Sequence, residues 1–305
     1  MRILVTGGTG MVGKNVQDAL SERDAETIAP SREELDLMNK GGVRELLRNC
    51  EPDVVVHCAG LVGGIRANIE SPYDFALQNM TIGSNVVDAC LETGTSRLIN
   101  LGSSCMYPRD SSNPLKEEMI LTGSLEPTNE GYGIAKVAVS RLCKYANAQY
   151  GTNFKTLIPC NLFGYYDNFD LKTAHLIPGV MHRLHKSALN SSSSVDIWGD
   201  GSARREFMFA GDFADFICSA VELYDDLPEE MNVGMGTDHS VKEYYELIAE
   251  VVGYEGSFKH DLSKPQGMSQ KLVDISLQGD LGWSPSTTIG EAIAVTYQHF
   301  LETWI

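Results

Sequence analysis

Met1-Arg-Ile-Leu-Val-Thr-Gly-Gly-Thr-Gly-Met-Val-Gly13 opens the chain, and its reading decides the fold. The apolar run Ile3, Leu4, Val5 reads as a buried strand. It leads straight into Gly7-x-x-Gly10-x-x-Gly13. Glycines there let the backbone turn sharply and approach a pyrophosphate closely. A helix from about Met11 to Glu22 then aims its first N–H groups, around Met11 and Val12, at the negative charge. Three glycines at this spacing are a weak signal alone. Between a strand and a helix they point to a dinucleotide.

The second strand is expected around Glu26 to Ala29, ending in Pro30-Ser31-Arg32. No carboxylate stands at its tip to grip a ribose 2′-hydroxyl, as NAD binders require. Arg32 does stand there, and a permanently charged guanidinium forks onto two phosphate oxygens. This favours NADP (NADPH). The competing reading is a surface pair between Arg32 and Glu33 or Glu34.

A chain of 305 residues can bury a large core in one large or two smaller domains. The net charge of −17 argues against a general nucleic-acid or membrane-surface binder. No secretory h-region and no apolar run of transmembrane length is present. The seven cysteines are scattered without Cys-x-x-Cys or zinc spacing, so no metal is expected and a reduced cytoplasm fits. Ser191 to Ser194 reads as a flexible surface connection, and the acidic run Asp225-Asp226 and Glu229-Glu230 as a loop.

Outward from the glycine loop, β-rich apolar runs recur at 53–57, 97–101 and 155–158. Helical patterns at about 42–49, 73–93 and 132–150 intervene. This alternation predicts an α/β fold, a Rossmann-like doubly wound parallel sheet with helices on both faces. Ligands in such sheets bind beyond the C-terminal strand ends. There stand Gly102-Ser103-Ser104-Cys105-Met106-Tyr107 and, further on, Tyr132-Gly-Ile-Ala-Lys136. Residues four apart on a helix share a face, so Tyr132 and Lys136 can enter one pocket. A nearby ammonium favours the phenolate of a tyrosine whose ordinary pKa is about 10. Alternation along an extended segment would turn Ser103 and Cys105 the same way, toward the cofactor. The plain alternative for Cys105 is a small buried filler, as expected of the other cysteines.

Several stretches carry a more specific likeness: Val62-Gly-Gly-Ile65, Leu101-Gly-Ser-Ser-Cys-Met-Tyr-Pro108, Leu125-Glu-Pro-Thr-Asn-Glu130, Asn161-Leu-Phe-Gly164, His175-Leu-Ile-Pro178 and Arg204-Arg-Glu-Phe207. On these the chain resembles the extended short-chain dehydrogenase/reductase superfamily over nearly its whole length. More narrowly it resembles the GDP-L-fucose synthase family, 3,5-epimerase/4-reductases of GDP-4-keto-6-deoxy-D-mannose. The resemblance implies a reductase triad of Ser103, Tyr132 and Lys136. It implies that Cys105 and His175 are the base and acid of epimerisation, and that Arg32 holds a 2′-phosphate. Tyr132, Lys136 and His175 are also expected to touch the cofactor. Asn161, Arg183, Arg205 and Lys271 are implied contacts to the GDP-sugar, with Trp198 either lining the same lobe or in its core. Residues 1–160 are expected to form the NADP-binding domain, with about 206–235 returning to it. Residues 161–205 and 236–305 are expected to form a smaller substrate lobe. A homodimer through the helices at 73–93 and 132–150 is likewise implied.

The sequence departs from the family where Gln266 replaces an acidic residue and Gln270 an arginine. The chemistry suits the residues: a C4 carbonyl acidifies the hydrogens at C3 and C5, and inversion needs one group to remove a proton and another to return one. Competing readings are a C4-reductase or epimerase of another GDP- or UDP-linked keto-sugar, and a non-catalytic NADP-binding protein on the same fold. A plain 4-epimerase would want an acid at the second strand tip.

Overall fold

The computed structural model of the protein describes residues 1–264 and 267–305. Six strands form its main sheet: β1 (Arg2–Thr6), β2 (Glu26–Ile28), β3 (Val54–His57), β4 (Leu98–Leu101), β5 (Lys155–Pro159) and β6 (Glu230–Val233). Their order is β6-β5-β4-β3-β1-β2, and every neighbouring pair is parallel. The chain leaves β1 toward β2 on one side and returns to β3 on the other. That reversal opens a crevice beyond the ends of β1 and β3, where ligands of doubly wound sheets bind.

Strand alternation divides the core. Ile3, Val5, Val54 and Val56 pack on one face with α1 (Met11–Ser21) and with the helix Ala210–Glu222. Leu4 and Val55 pack on the other with α2 (Lys40–Cys50), α3 (Pro72–Thr93) and α4 (Glu130–Tyr150). With helices on both sides, the strands read as unbroken apolar runs. Helices α3 and α4 lie close: a Cβ on Gly83 would meet Val139 Cγ2 at 2.4 Å.

A third core gathers Phe163, Phe169, Val180, Leu184, Tyr244, Tyr245, Ile248 and Phe300. It lies among α5 (Leu176–Leu189), Val241–Val252 and Ile289–Thr303. Short strands accompany it: Ser194–Trp198 pairs with Ser257–Asp261, and Arg204–Arg205 lies between His239–Ser240 and Gln270–Lys271. Asn161–Phe163 pairs with Phe207–Phe209, leading away from the main sheet. Ile275, Leu281 and Trp283 pack against the main-sheet core instead, and Trp283 Nε1 donates to Asp215 at 2.9 Å.

Two sequence expectations are corrected. Ser194 opens a strand instead of ending a loose serine connection. Glu230 begins β6, where its largely buried carboxylate takes the Arg141 guanidinium at 3.1 Å and the Ser140 hydroxyl at 2.5 Å. Among the described residues no helix is long and apolar enough to cross a membrane.

Candidate active site

A cavity of about 910 Å³ runs along the C-terminal ends of the strands into the third core's side, and every residue expected to act in catalysis, cofactor binding or substrate binding lines it. At one end is the glycine loop. Gly7 turns with φ +73°, and a Cβ there would meet Ala59 backbone at 2.6 Å. A Cβ on Gly13 would lie 2.2 Å from the Gly7 carbonyl oxygen, so α1 starts hard against the loop. Gly10 is its N-cap and offers no side-chain cap. The first-turn N–H groups, from Met11 through Gly13, therefore have no helical acceptor, and these residues face the cavity. Beyond β2, Glu34 accepts the Ser31 N–H at 2.8 Å rather than pairing with Arg32. Among the described residues no carboxylate lies within ion-pair reach of Arg32, which lines the cavity. A glycine cradle that no side chain could fill and an uncommitted guanidinium fit a dinucleotide carrying a 2′-phosphate.

The centre of the cavity is built on β4 and α4. Ser103 is extended, but Ser104–Met106 form a 3₁₀ turn, so the alternation expected for Ser103 and Cys105 does not exist. The turn itself brings both to the cavity, with Ser103 Oγ accepting the Cys105 N–H at 3.2 Å. Tyr132 sits in the first turn of α4. Burial pushes its phenol up, and a hydrogen bond with Ser103 opposes that shift. One turn on, Lys136 Nζ donates to the Leu101 carbonyl at 2.8 Å and lies 5.7 Å from the Tyr132 ring centre. Burial lowers its pKa to about 8, against the pull of Cys58 and Cys105.

Behind this pair the wall is neutral. His57 Nδ1 and Thr6 Oγ1 are 2.7 Å apart, and burial, then the Lys136 charge, lowers the imidazole to about 3. Cys58 is more than the filler expected, since it lines the cavity; burial pushes its thiol up to about 12.

Cys105 and His175 enter from different elements. His175 is the N-cap of α5, its carbonyl accepting the Gly179 N–H at 3.0 Å. The preceding segment is tied to the loop after β3, where Gly64 N–H donates to Thr173 O at 3.2 Å. His175 is exposed and lines the cavity, and desolvation by the surrounding protein lowers its imidazole pKa. Cys105 Sγ accepts from Asn129 Nδ2 at 3.0 Å and Lys271 Nζ at 3.5 Å.

Toward the far end, Arg205 and Lys271 are in register on adjacent parallel strands. Arg205 donates to the Arg204 carbonyl at 2.7 Å, and burial lowers its pKa. Arg183 donates to the Tyr245 hydroxyl at 2.7 Å. Asn161 Nδ2 donates to the Glu206 carbonyl at 2.7 Å. Trp198 is 40% exposed, so it is no core residue; Lys264 Nζ lies 5.8 Å over its ring. Gln270 donates to Asp238 at 2.6 Å, and Gln266 lies outside the described residues.

Three residues of this region were not singled out from the sequence. His57 reads as part of an apolar strand. Asn129 lies in the stretch 125–130, which carries only the family likeness. Glu206, fully buried, accepts the N–H groups of Met235, Gly236 and Val273 at 2.6–2.9 Å and so ties the ends of three segments together. Burial raises its pKa to about 7. Its neighbour Arg205 in an arginine pair was the available signal. Among the described residues no group of three or more His, Cys, Asp or Glu is placed to hold a metal.

The chain resembles proteins of known activity over its whole length. It is 47% identical to a GDP-L-fucose synthase of Azorhizobium caulinodans over 98% of this chain and 96% of that protein. It is 46% identical to a GDP-L-colitose synthase of Yersinia pseudotuberculosis, over 99% and 98%. A solved GDP-mannoheptose C4 reductase from Campylobacter jejuni with NADP bound superposes with a TM-score of 0.88 at 30% identity, covering 98% of each chain. The description of the NAD dependent epimerase/dehydratase family matches residues 3–234. With the glycine cradle, the doubly wound sheet and this match over most of its length, the chain belongs to the NAD-dependent epimerase/dehydratase family.

Proposed function

We infer that this protein is an NADPH-dependent epimerase/reductase that converts GDP-4-keto-6-deoxy-D-mannose to GDP-L-fucose. The single observation that carries the reading is that one cavity gathers two proton-handling sets, Cys105 with His175 and Ser103 with Tyr132 and Lys136. Relatives that act on GDP-sugars support the substrate class.

The chain's residues divide the work. The glycine loop and the first turn of α1 hold a pyrophosphate, and Arg32 holds a 2′-phosphate. When bound, NADPH supplies the hydride that reaches C4. Cys105 and His175 take and return the protons at C3 and C5. Each enolate places negative charge on O4, where the Ser103 and Tyr132 hydroxyls donate hydrogen bonds. Tyr132 later gives its proton to O4, and the Lys136 ammonium stabilises the phenolate left behind. Arg183, Arg205 and Lys271 bring positive charge to the diphosphate side in an otherwise acidic protein, with Asn161 and Trp198 lining the sugar and base regions.

An apolar stripe supports a homodimer. Tyr73, Leu77 and Met80 on α3 and Ile134, Leu142 and Tyr145 on α4 are all exposed. A two-fold pairing of these helices would cover them. Tyr145→Glu is expected to shift sedimentation from dimer toward monomer at micromolar protein; an unchanged species would remove this pairing. Seven free cysteines suit a reducing cytoplasm.

The near-equal identity to a GDP-L-colitose synthase supports a second reading, in which the keto-sugar is that relative's. Incubation of GDP-4-keto-6-deoxy-D-mannose with NADPH, with the product identified by NMR, tests the first. GDP-L-fucose formed as NADPH is consumed is the expected result. Turnover only with the colitose precursor would favour the second. Reduction with no inversion would mean a plain C4 reductase.

A further inference from the structure

Asn129 is the N-cap residue of α4, and its side chain makes no cap hydrogen bond. Asparagine is among the best N-caps because its oxygen takes an orphan N–H of the first turn. Asn39, capping α2, does so, accepting the Gly42 N–H. Ser240 and Thr288 cap their helices through full capping boxes. Asn129 instead turns its Nδ2 to Cys105 Sγ at 3.0 Å. Its Oδ1 is buried without a partner. Among the described residues the sulfur contact is thus the amide's one hydrogen bond. A side chain suited to stabilising its own helix serves the thiol alone.

The approach is built into the fold. The first turn of α4 abuts the Cys105 backbone so closely that a Cβ on Gly133 would meet the Cys105 carbonyl oxygen at 2.7 Å. Lys271 reaches the same sulfur from a different element at 3.5 Å. Two N–H donors from different elements thus converge on one sulfur, and hydrogen bonds to a charged acceptor are stronger than those to a neutral one.

Resting on the reading of Cys105 as a proton-transfer group, we propose that Asn129 is the positioning residue of that group. Its amide holds Cys105 Sγ as a hydrogen-bond acceptor aimed into the cavity. It also fixes the sulfur to the helix that carries Tyr132 and Lys136, so that both chemistries share one frame. When the sulfur takes a proton from carbon, the electron pair left behind moves toward O4, and the amide N–H stays on the sulfur throughout.

Asn129→Ser, Asn129→Ala and Asn129→Asp test this. Serine keeps a good N-cap and removes the amide; aspartate keeps the shape and replaces the donor with a negative acceptor. Two readouts are followed: deuterium entry at C3 and C5 of the keto-sugar in heavy water, and iodoacetamide alkylation of the Cys105 peptide across pH. Serine and alanine are expected to slow deuterium entry roughly tenfold and to move the alkylation profile about one unit toward alkali. Aspartate is expected to do more on both. NADPH affinity and melting temperature should stay near the parent values in the serine variant. An alkylation profile and exchange rate unchanged in all three variants would overturn the proposal, as would aspartate performing as well as asparagine. Cys105→Ala, run in parallel, separates the two levels. Exchange surviving that change would sink the role of Cys105 itself, whereas exchange lost there but intact in the Asn129 variants would sink only the proposal.

Discussion

Two pairs of proton-handling residues face one cavity, and they are constructed in opposite ways. Tyr132 and Lys136 stand one turn apart on α4, so ordinary helix geometry sets their relative position. Cys105 and His175 come from a 3₁₀ turn after β4 and from the N-cap of α5. Their placement depends on contacts between elements far apart in sequence: Gly64 to Thr173, Asn129 to Cys105, Lys271 to Cys105. A pair on one helix is robust and legible. An assembled pair is legible only to the extent that its supports are recognised, and it is correspondingly easier to detune from a distance.

The sharpest way to separate the pairs is to remove one at a time. Tyr132→Phe is expected to cut NADPH oxidation by about 10³-fold, within the range for loss of a general acid. Deuterium entry should fall far less, because Ser103 still donates to O4. Equal losses in both readouts would erase the division of labour. Cys105→Ala is the converse, with deuterium entry at C3 and C5 falling by about 10²-fold or more. Melting temperature serves as the control for packing, since the lost sulfur sits at the cavity and not in a core.

A third test leaves both pairs intact. Arg32→Ala is expected to raise the KM for NADPH by roughly 10- to 100-fold, the loss of a charge-assisted contact, while leaving NADH use unaltered. A matching loss with NADH would place Arg32 in a structural role.

The smallest effect concerns pH. Lys136 has a native pKa of about 8 against an ordinary 10.5. Its ammonium supports the Tyr132 phenolate, so reduction should decline as pH rises past about 8. Stability moves the other way. The native state has released this proton by about pH 8 while the unfolded chain holds it to about 10.5, so across that window the unfolded state binds more protons and rising pH favours the native state. Lys136→Met should abolish both trends, lower reduction by roughly 10- to 100-fold, and flatten the stability profile between pH 8 and 10.5. A profile unchanged by that substitution would assign the alkaline limb to another group.

The same contrast explains what could be read from the sequence. The glycine loop and Tyr132–Lys136 were legible because their meaning is local: a turn that only glycine fits, and a four-residue spacing on a helix. The sheet followed from the alternation of short apolar runs with helical patterns. Cys105 was placed toward the cavity for a reason that fails, since a 3₁₀ turn and not strand alternation presents it. His175 is one of seven histidines and carries no local signal; the family resemblance alone selected it. Arg205 and Lys271 lie far apart in the chain, yet a two-residue parallel ladder sets them side by side. Strands that short have no periodicity to detect. Asn129 carried no signal of its own within a stretch that served only the family likeness, because only the geometry shows its cap left unmade and its amide turned to the sulfur.

The central claim is that proton transfer at carbon and hydride transfer are separable steps in one cavity. The most direct measurement incubates GDP-4-keto-6-deoxy-D-mannose in heavy water with NADP⁺ in place of NADPH and follows C3 and C5 by NMR. Deuterium should enter both positions with no C4 reduction, and Cys105→Ala should abolish that entry. Absence of deuterium until hydride is supplied, or exchange at the parent rate in Cys105→Ala, would contradict it.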